Sequence, residues 1–184
     1  MIVMTGRDGR MIRNELEYRM TWNTADLCDE HPDRARVLPP LFHDYGGRKR
    51  FAGTVVTLKC FEDNALLKAT FATPGRGKVL VVDGGGSLRC ALVGDVLTRI
   101  AHEAGWEGTV IYGAVRDTLG IATFDIGVRA LGANPRRPAQ RGEGVRDVPV
   151  SVGGVMCYPG EHLFADSDGV VVLDAAAVTE GKYS

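Results

Sequence analysis

A layered α/β domain, with stacked sheets and helices on one side, is what the sequence predicts, and three observations predict it. In the middle of the chain, apolar runs of strand length alternate with stretches of helical periodicity. Toward both ends, β-branched residues and turn signals take over. Glycine is in excess, with 24 in 184 residues, about 13% against an ordinary share of roughly 7%. No Gly-X-Y period runs through the chain and 45% of it is hydrophobic, which excludes collagen-like fibres and low-complexity linkers. The mixed order of elements argues against a plain doubly wound fold. A chain of this length buries one sizeable core, so a single domain is expected.

The elements follow in order. Thr24–His31 reads as a short helix capped by Thr24 and stopped before Pro32. Gly53–Cys60 (GTVVTLKC) is alternating and β-branched, hence a strand. Glu62–Ala72 reads as a helix with acidic residues in its first turn, ended by Thr73-Pro74-Gly75. Lys78–Val82 (KVLVV) is a continuous apolar run, so a strand buried on both faces. In Asp95–Ala104, Val96, Leu97, Ile100, Ala101 and Ala104 form one apolar stripe of a helix, which Gly105 terminates. Thr109–Tyr112 is a second buried strand, followed by a short helix near Thr118–Thr123 and a strand around Val128–Leu131. Val148–Val152, Val155–Tyr158 and Gly169–Leu173 read as strands separated by Gly-Gly, Pro-Gly and Asp-Ser-Asp-Gly turns. Asp166-Ser-Asp-Gly169 imitates the start of a calcium loop but lacks its remaining ligands, so it reads as a hairpin turn.

Composition excludes several function classes. A net charge of −1 provides no broad basic field for nucleic acid. Arg48-Lys49-Arg50 and Arg136-Arg137 are candidates for contact with RNA or an acidic protein, but without interleaved aromatics they read as solvated loops. No apolar run approaches the roughly 20 residues of a membrane span. Cys28, Cys60, Cys90 and Cys157 are far apart and form no C-x-x-C pair, which suits buried thiols in a reducing cytosol. His31, His43, His102 and His162 share no metal-site spacing. The first 20 residues lack the apolar segment of a signal peptide. Residues 1–19 read as an extension outside the fold, with the domain occupying 20–184.

The most informative stretch is VLVVDGGGSLRCALVGDVLTRIAHEAGWEGTVIYGAVRD, residues 79–117. One buried strand ends in Asp83 and Gly84–Gly86, a helix begins at Gly94-Asp95, and the next buried strand ends near Arg116-Asp117. Ligands of α/β folds collect beyond the carboxyl ends of such strands, so both Asp-containing dipeptides belong at one sheet edge. Gly94 leaves room beside the unpaired amides of Asp95, Val96 and Leu97, a place for a carboxylate. Arg116 adds a bidentate, permanently charged contact. Asp117 and Asp95 are hard oxygen ligands suited to Mg²⁺ or Mn²⁺. Gly84–Gly86 and Gly113 would clear further space for the ligand. Spacing alone leaves plainer roles open: Asp95 as a helix cap, Arg116-Asp117 as a surface ion pair, Gly84–Gly86 as a turn.

At these residues the chain resembles the RraA-like family, the regulators of ribonuclease E activity and the class II 4-hydroxy-4-methyl-2-oxoglutarate aldolases. The resemblance runs from Thr24 to about Leu173, through LFHDYGGRKRFAGTVVTLKCFEDNALL, VLVVDGGGSLRCALVGD, WEGTVIYGAVRD, DIGVRALGANPRR and GGVMCYPGEHLFADSDGVVVL. The aldolases are similar in having Gly-Asp, twenty intervening residues and then Arg-Asp; here Gly94-Asp95, residues 96–115 and Arg116-Asp117 match. The resemblance implies a β/β/α swivelling-domain fold, a homotrimer or dimer of trimers, and active sites between subunits. It implies that Gly94, Asp95, Val96, Leu97 and Arg116 bind a pyruvate-type substrate. Asp117 would hold a divalent metal, with Asp95 reaching it through water. The implied activity is aldol cleavage of a 4-hydroxy-2-oxo acid to pyruvate, with secondary oxaloacetate decarboxylation, in the cytoplasm. The alternative is a protein-binding inhibitor of ribonuclease E, whose family members look to have lost one or both aspartates. The larger aldolases carry a further acidic residue from a neighbouring subunit, in a C-terminal region without a counterpart in this sequence. Some members of the family were once labelled methyltransferases, a reading for which the sequence has no acidic strand-end pattern beyond Gly84–Gly86.

Overall fold

The computed structural model describes residues 22–180; the expected extension at 1–19 and domain start near Met20 lie outside them. Along the described chain run α1 (Thr24–Glu30), β1 (Arg36–Val37), β2 (His43–Asp44), β3 (Phe51–Lys59), α2 (Ala65–Phe71), β4 (Lys78–Asp83), β5 (Ala91–Val93) and α3 (Asp95–Glu103). They continue with β6 (Gly108–Val115), α4 (Thr118–Ile121), β7 (Gly127–Ala133), β8 (Val145–Arg146), β9 (Val150–Val152), β10 (Val155–Cys157), β11 (His162–Ala165), β12 (Val170–Leu173) and α5 (Ala175–Glu180).

A large mixed sheet has the order β1-β12-β11-β3-β4-β6-β7-β2, with β5 beside β6 and β8 beside β3. Its centre, β3-β4-β6-β7, is parallel, and the strands flanking it pair antiparallel. Successive side chains of a strand point to opposite faces, and β4 shows what that does here. Leu80 and Val82 face a core shared with Leu67 and Phe71 of α2, Ala101 of α3 and Ile121 of α4. Val79 and Val81 face a second core closed by the separate β9-β10 hairpin through Val150, Val152 and Cys157. A third cluster seats Leu27 of α1 and Ala177 and Val178 of α5 against Phe164, Val171 and Leu173. Hairpin, sheet and helices make the β/β/α layering.

Several elements differ from expectation. Asn23, not Thr24, caps α1 by accepting the Asp26 amide. The Thr24 hydroxyl donates instead to the buried Asp166 carboxylate, 2.7 Å away. Glu62 and Asp63 precede α2 rather than filling its first turn: Glu62 has a left-handed φ of 53°, and Asn64 is the cap. Val96 stands outside the apolar stripe of α3, 52% exposed, and Thr98 is buried in its place. Gly105 does end that helix, with φ +83°. The two- and three-residue strands β1, β2, β5 and β8 carry too few residues to show a period, and β11 and α5 were not expected either.

Candidate functional site

Three neighbouring parallel strands end together. Val93 of β5 pairs with Val115 of β6, which pairs in turn with Ala133 of β7. The next residues of each strand are Gly94-Asp95, Arg116-Asp117 and Asn134-Pro135-Arg136. The two dipeptides singled out in the sequence therefore meet at one sheet edge, and the amide of Arg116 donates to the Val93 carbonyl at 2.9 Å.

Gly94 lies against the other dipeptide. A Cβ there would sit 2.8 Å from Asp117 Oδ2 and 3.1 Å from Arg116 Cγ, closer than side chains ordinarily approach. Gly94 is also the N-cap of α3, with extended backbone and no side-chain cap, so the helix start lies directly against Arg116 and Asp117. Arg116 Nε donates to Asp117 Oδ2 at 2.8 Å, and its Nη1 reaches the Pro135 carbonyl at 3.4 Å. Asp117 is left-handed, at φ 53° and ψ 42°, a conformation that Asp and Asn tolerate better than other side chains. Its side chain is 39% exposed and that of Arg116 25%.

The remaining predicted residues divide. Asp95 begins α3 and packs over α4, where a Cβ on Gly120 would lie 2.8 Å from Asp95 Cβ. Its Oδ1 accepts the Val96 amide at 2.7 Å, so that amide is engaged by the protein itself. Leu97 is half-buried and packs against the helix-side core. The amides of Gly84 and Gly86 both donate to the Tyr112 carbonyl, at 3.1 and 3.0 Å, and that of Gly85 to Asp83 Oδ1. All three are turned back onto the protein, so this loop is a turn rather than an anion cradle. Gly113 makes room for Leu92, whose Cδ1 would be 3.2 Å from a Cβ there.

A divalent cation is tested by the donors available. Among the described residues no group of three or more His, Cys, Asp and Glu is arranged to hold a metal. A closed protein cage is thereby absent, but Mg²⁺ and Mn²⁺ keep waters and take only one or two carboxylates. Asp117 and Asp95 each engage one oxygen within the protein and leave the other without a donor among the described residues. The donor set fits such a hydrated, substrate-sharing cation.

Other candidates fall away. Arg48 bonds Glu107 and Asp125, and Arg50 stacks on Trp22 with 4.3 Å to the ring centroid, so that basic run holds the fold together. The four cysteines are free thiols; burial pushes Cys60 and Cys157 up to about 12 and raises Cys90 as well, which leaves them protonated and unreactive.

Sequence reasoning missed the third strand end. A cleft of about 350 Å³ beside it is lined by Phe61, Arg89, Cys90, Arg136, Arg137 and Arg141, among others. Asp63, 1% exposed, accepts the amides of Ala65, Arg141 and Gly142 and pins the far wall of this cleft to the start of α2. The available signal was Asn134-Pro135-Arg136-Arg137 directly after a strand parallel to the one that Arg116-Asp117 follows.

A sequence profile for the RraA-like family, described as Aldolase/RraA, matches residues 24–172. A Pseudomonas syringae pv. tomato protein named "Putative 4-hydroxy-4-methyl-2-oxoglutarate aldolase" is 54% identical over 153 residues, covering 83% of this chain and 94% of the relative. The structure of the RNA-processing inhibitor RraA from Thermus thermophilis is similar, with a TM-score of 0.81 and 50% identity over 84% of this chain and 93% of the other. A Geobacillus kaustophilus structure described as an S-adenosylmethionine: 2-dimethylmenaquinone methyltransferase also has a TM-score of 0.81, with 45% identity over 83% of this chain and 95% of the other.

Proposed function

The chain belongs to the RraA-like family, and we propose that it is a divalent-metal-dependent carbon–carbon lyase that cleaves 4-hydroxy-4-methyl-2-oxoglutarate or a similar 4-hydroxy-2-oxo acid to pyruvate. The observation that carries this reading is the meeting of Gly94-Asp95 with Arg116-Asp117 at the ends of paired parallel strands. The name shared by the 54% identical relative supports it.

The open start of α3 and the Arg116 guanidinium bind the substrate's carboxylate and 2-oxo oxygen. In cleavage, the C4 hydroxyl gives its proton to water, and C4–O becomes the carbonyl of the second product (a second pyruvate from 4-hydroxy-4-methyl-2-oxoglutarate). The C3–C4 bond breaks with its electron pair moving into the enolate of pyruvate, and a proton from water added at C3 completes pyruvate. Oxaloacetate decarboxylation breaks its C3–C4 bond with loss of CO₂ and reaches the same enolate, so one site serves both reactions. The Arg116 guanidinium faces the oxygen on which the negative charge develops. Asp117, with Asp95 beside it, would hold Mg²⁺ or Mn²⁺, which supplies Lewis-acid stabilisation of that oxygen when bound. On a single chain the site lies on an open surface next to exposed Val96 and Leu119, 52% and 88% accessible, which supports a homotrimer that closes it between subunits. Among the described residues no helix is long and apolar enough to cross a membrane, and free thiols support a cytoplasmic protein.

The test is pyruvate release from 4-hydroxy-4-methyl-2-oxoglutarate and from oxaloacetate, with Mg²⁺, with Mn²⁺ and with EDTA. Asp117→Asn is the variant of choice because Asn keeps the left-handed backbone and loses the charge. Turnover is expected to require metal and to disappear in the variant. Metal-independent release, no release, or full activity in Asp117→Asn overturns the reading.

A second reading, inhibition of ribonuclease E through protein contact, is favoured by the 50% identity to the RNA-processing inhibitor. A ribonuclease assay with wild type and Asp117→Asn separates the two. Inhibition that survives in the variant belongs to a surface apart from the lyase site.

A further inference from the structure

The third strand end carries a group that the proposed chemistry leaves unused. Asn134-Pro135-Arg136 leaves β7 at the register of Val93 and Val115 and is stitched to both neighbouring strands. The Asn134 amide donates to the Val115 carbonyl at 2.8 Å, and its side chain donates to the Leu88 carbonyl at 2.7 Å. The Arg136 amide donates to Asn134 Oδ1 at 2.8 Å, and its carbonyl accepts the Ala91 amide at 2.9 Å. Pro135, between them, is the residue whose carbonyl Arg116 touches. Arg136 is thus held on a pinned backbone whose partner Ala91 lies three residues, about 10 Å, before Gly94 on the same strand.

The guanidinium itself is uncommitted. Among the described residues the Arg136 side chain has no acidic partner, whereas Arg89 is paired with Glu62, Arg116 with Asp117 and Arg141 with Glu143. Each of the three acids of its cleft is engaged by a group other than Arg136, Glu143 by Arg141 at 3.8 Å. Glu62 accepts from Ser87 and Arg89 at 2.6 and 2.7 Å, and Asp63 is consumed by backbone amides. The cleft therefore carries a net positive field, and its volume is that of a small-molecule site. The exposed Arg136 side chain, on a backbone that is fixed, offers its guanidinium for bidentate capture of a carboxylate.

We propose that Arg136 is the specificity residue of this site, selecting 2-oxo acids that carry a second carboxylate. The assignment rests on the lyase reading above: with the pyruvate half at Gly94 and Arg116, the distal carboxylate of a 4-hydroxy-2-oxo diacid extends toward the third strand end. Arg137, on a segment without those backbone ties, plays no part in it.

The experiment compares 4-hydroxy-4-methyl-2-oxoglutarate with 4-hydroxy-4-methyl-2-oxopentanoate, the same molecule with a methyl in place of the distal carboxylate, cleaved to pyruvate and acetone. Deuterium exchange into the methyl group of pyruvate reports the enolate chemistry alone. In Arg136→Gln, kcat/KM for the diacid is expected to fall about 10- to 100-fold, chiefly through KM, the span of one lost charged hydrogen-bonding contact. Monoacid cleavage and pyruvate exchange remain within about 3-fold of wild type. Arg136→Lys, which keeps a charge without the fork, falls in between, and Arg137→Gln matches wild type. Equal losses on diacid and monoacid, or no loss on either, overturn the assignment while leaving the lyase reading standing. Wild-type protein that releases pyruvate from neither substrate and exchanges no methyl proton overturns both.

Discussion

Two aspartate-and-glycine turns of this protein have opposite fates. In the β11–β12 hairpin, Asp166 is buried and accepts from the Thr24 amide and hydroxyl, both at 2.7 Å, and from the amides of Asp168 and Gly169 at 3.0 and 3.4 Å. Both oxygens of that buried carboxylate accept from the protein, so the turn fastens α1 to the sheet rather than holding a ligand. At the ends of β5 and β6, Asp95 and Asp117 each keep an oxygen without a donor among the described residues, and Arg116 and Asp117 are in part exposed. An aspartate beside a glycine is therefore not a site by composition. What separates fastening from chemistry is whether the fold itself supplies the donors.

The sharpest way to break this contrast is to exchange the expected losses. Asp166→Ala strands the Thr24, Asp168 and Gly169 donors, and should cost about 3 kcal/mol of unfolding free energy by denaturant titration. The specific activity of its folded fraction should match wild type; a loss of activity with little loss of stability would make this turn part of the site. Gly94→Ala is the mirror case. Its methyl would meet Asp117 Oδ2 at 2.8 Å and push the carboxylate aside, and a displacement of that order lowers kcat/KM about 10²-fold. The melting temperature should move by no more than about 2 °C, because the displaced group is exposed and free to shift. Unchanged pyruvate release in Gly94→Ala would mean that Asp117 is not held where the chemistry needs it.

The smallest effect is in the acid range. Burial alone raises the Asp166 carboxyl, but the hydrogen bonds from Thr24, Asp168 and Gly169 together outweigh it and hold it below its ordinary value of 3.8. Asp63 behaves alike: burial raises it, and the amides of Ala65, Arg141, Gly142 and Glu143 bring it lower. The unfolded chain then binds protons at higher pH than the folded one. The stabilisation these two groups confer is complete above the unfolded value and is lost as pH falls through their depressed folded values. Denaturation midpoints should decline below about pH 4, and decline less steeply in Asp166→Ala. A variant with the same acid slope as wild type would show that Asp166 does not carry this dependence.

Much of the fold was legible where one period dominates. The alternation of GTVVTLKC, the continuous KVLVV run and the helical stripe after Asp95 each named their element, and all three lie in the parallel centre or against it. Two-residue strands such as β1 and β8 exist only because a partner strand is there to pair with, so nothing local announces them. Val96 fitted the stripe of α3 by spacing, yet no neighbouring element covers it and Thr98 is the residue buried at that end of the helix.

For the site, the residue order determined the Gly-Asp, twenty residues, Arg-Asp spacing, the charges on offer and the family. Those are properties of chemistry along a chain, and they survive without coordinates. Tertiary structure decided which of the candidates serve. Strand register brought Gly94 against Asp117, backbone hydrogen bonds closed Gly84–Gly86 against ligands, and Arg136 came to a third strand end beside the first two. The physical reason is the same in each case: whether a polar group is free depends on donors and acceptors remote in sequence, and only folding brings those within 3 Å or so of it.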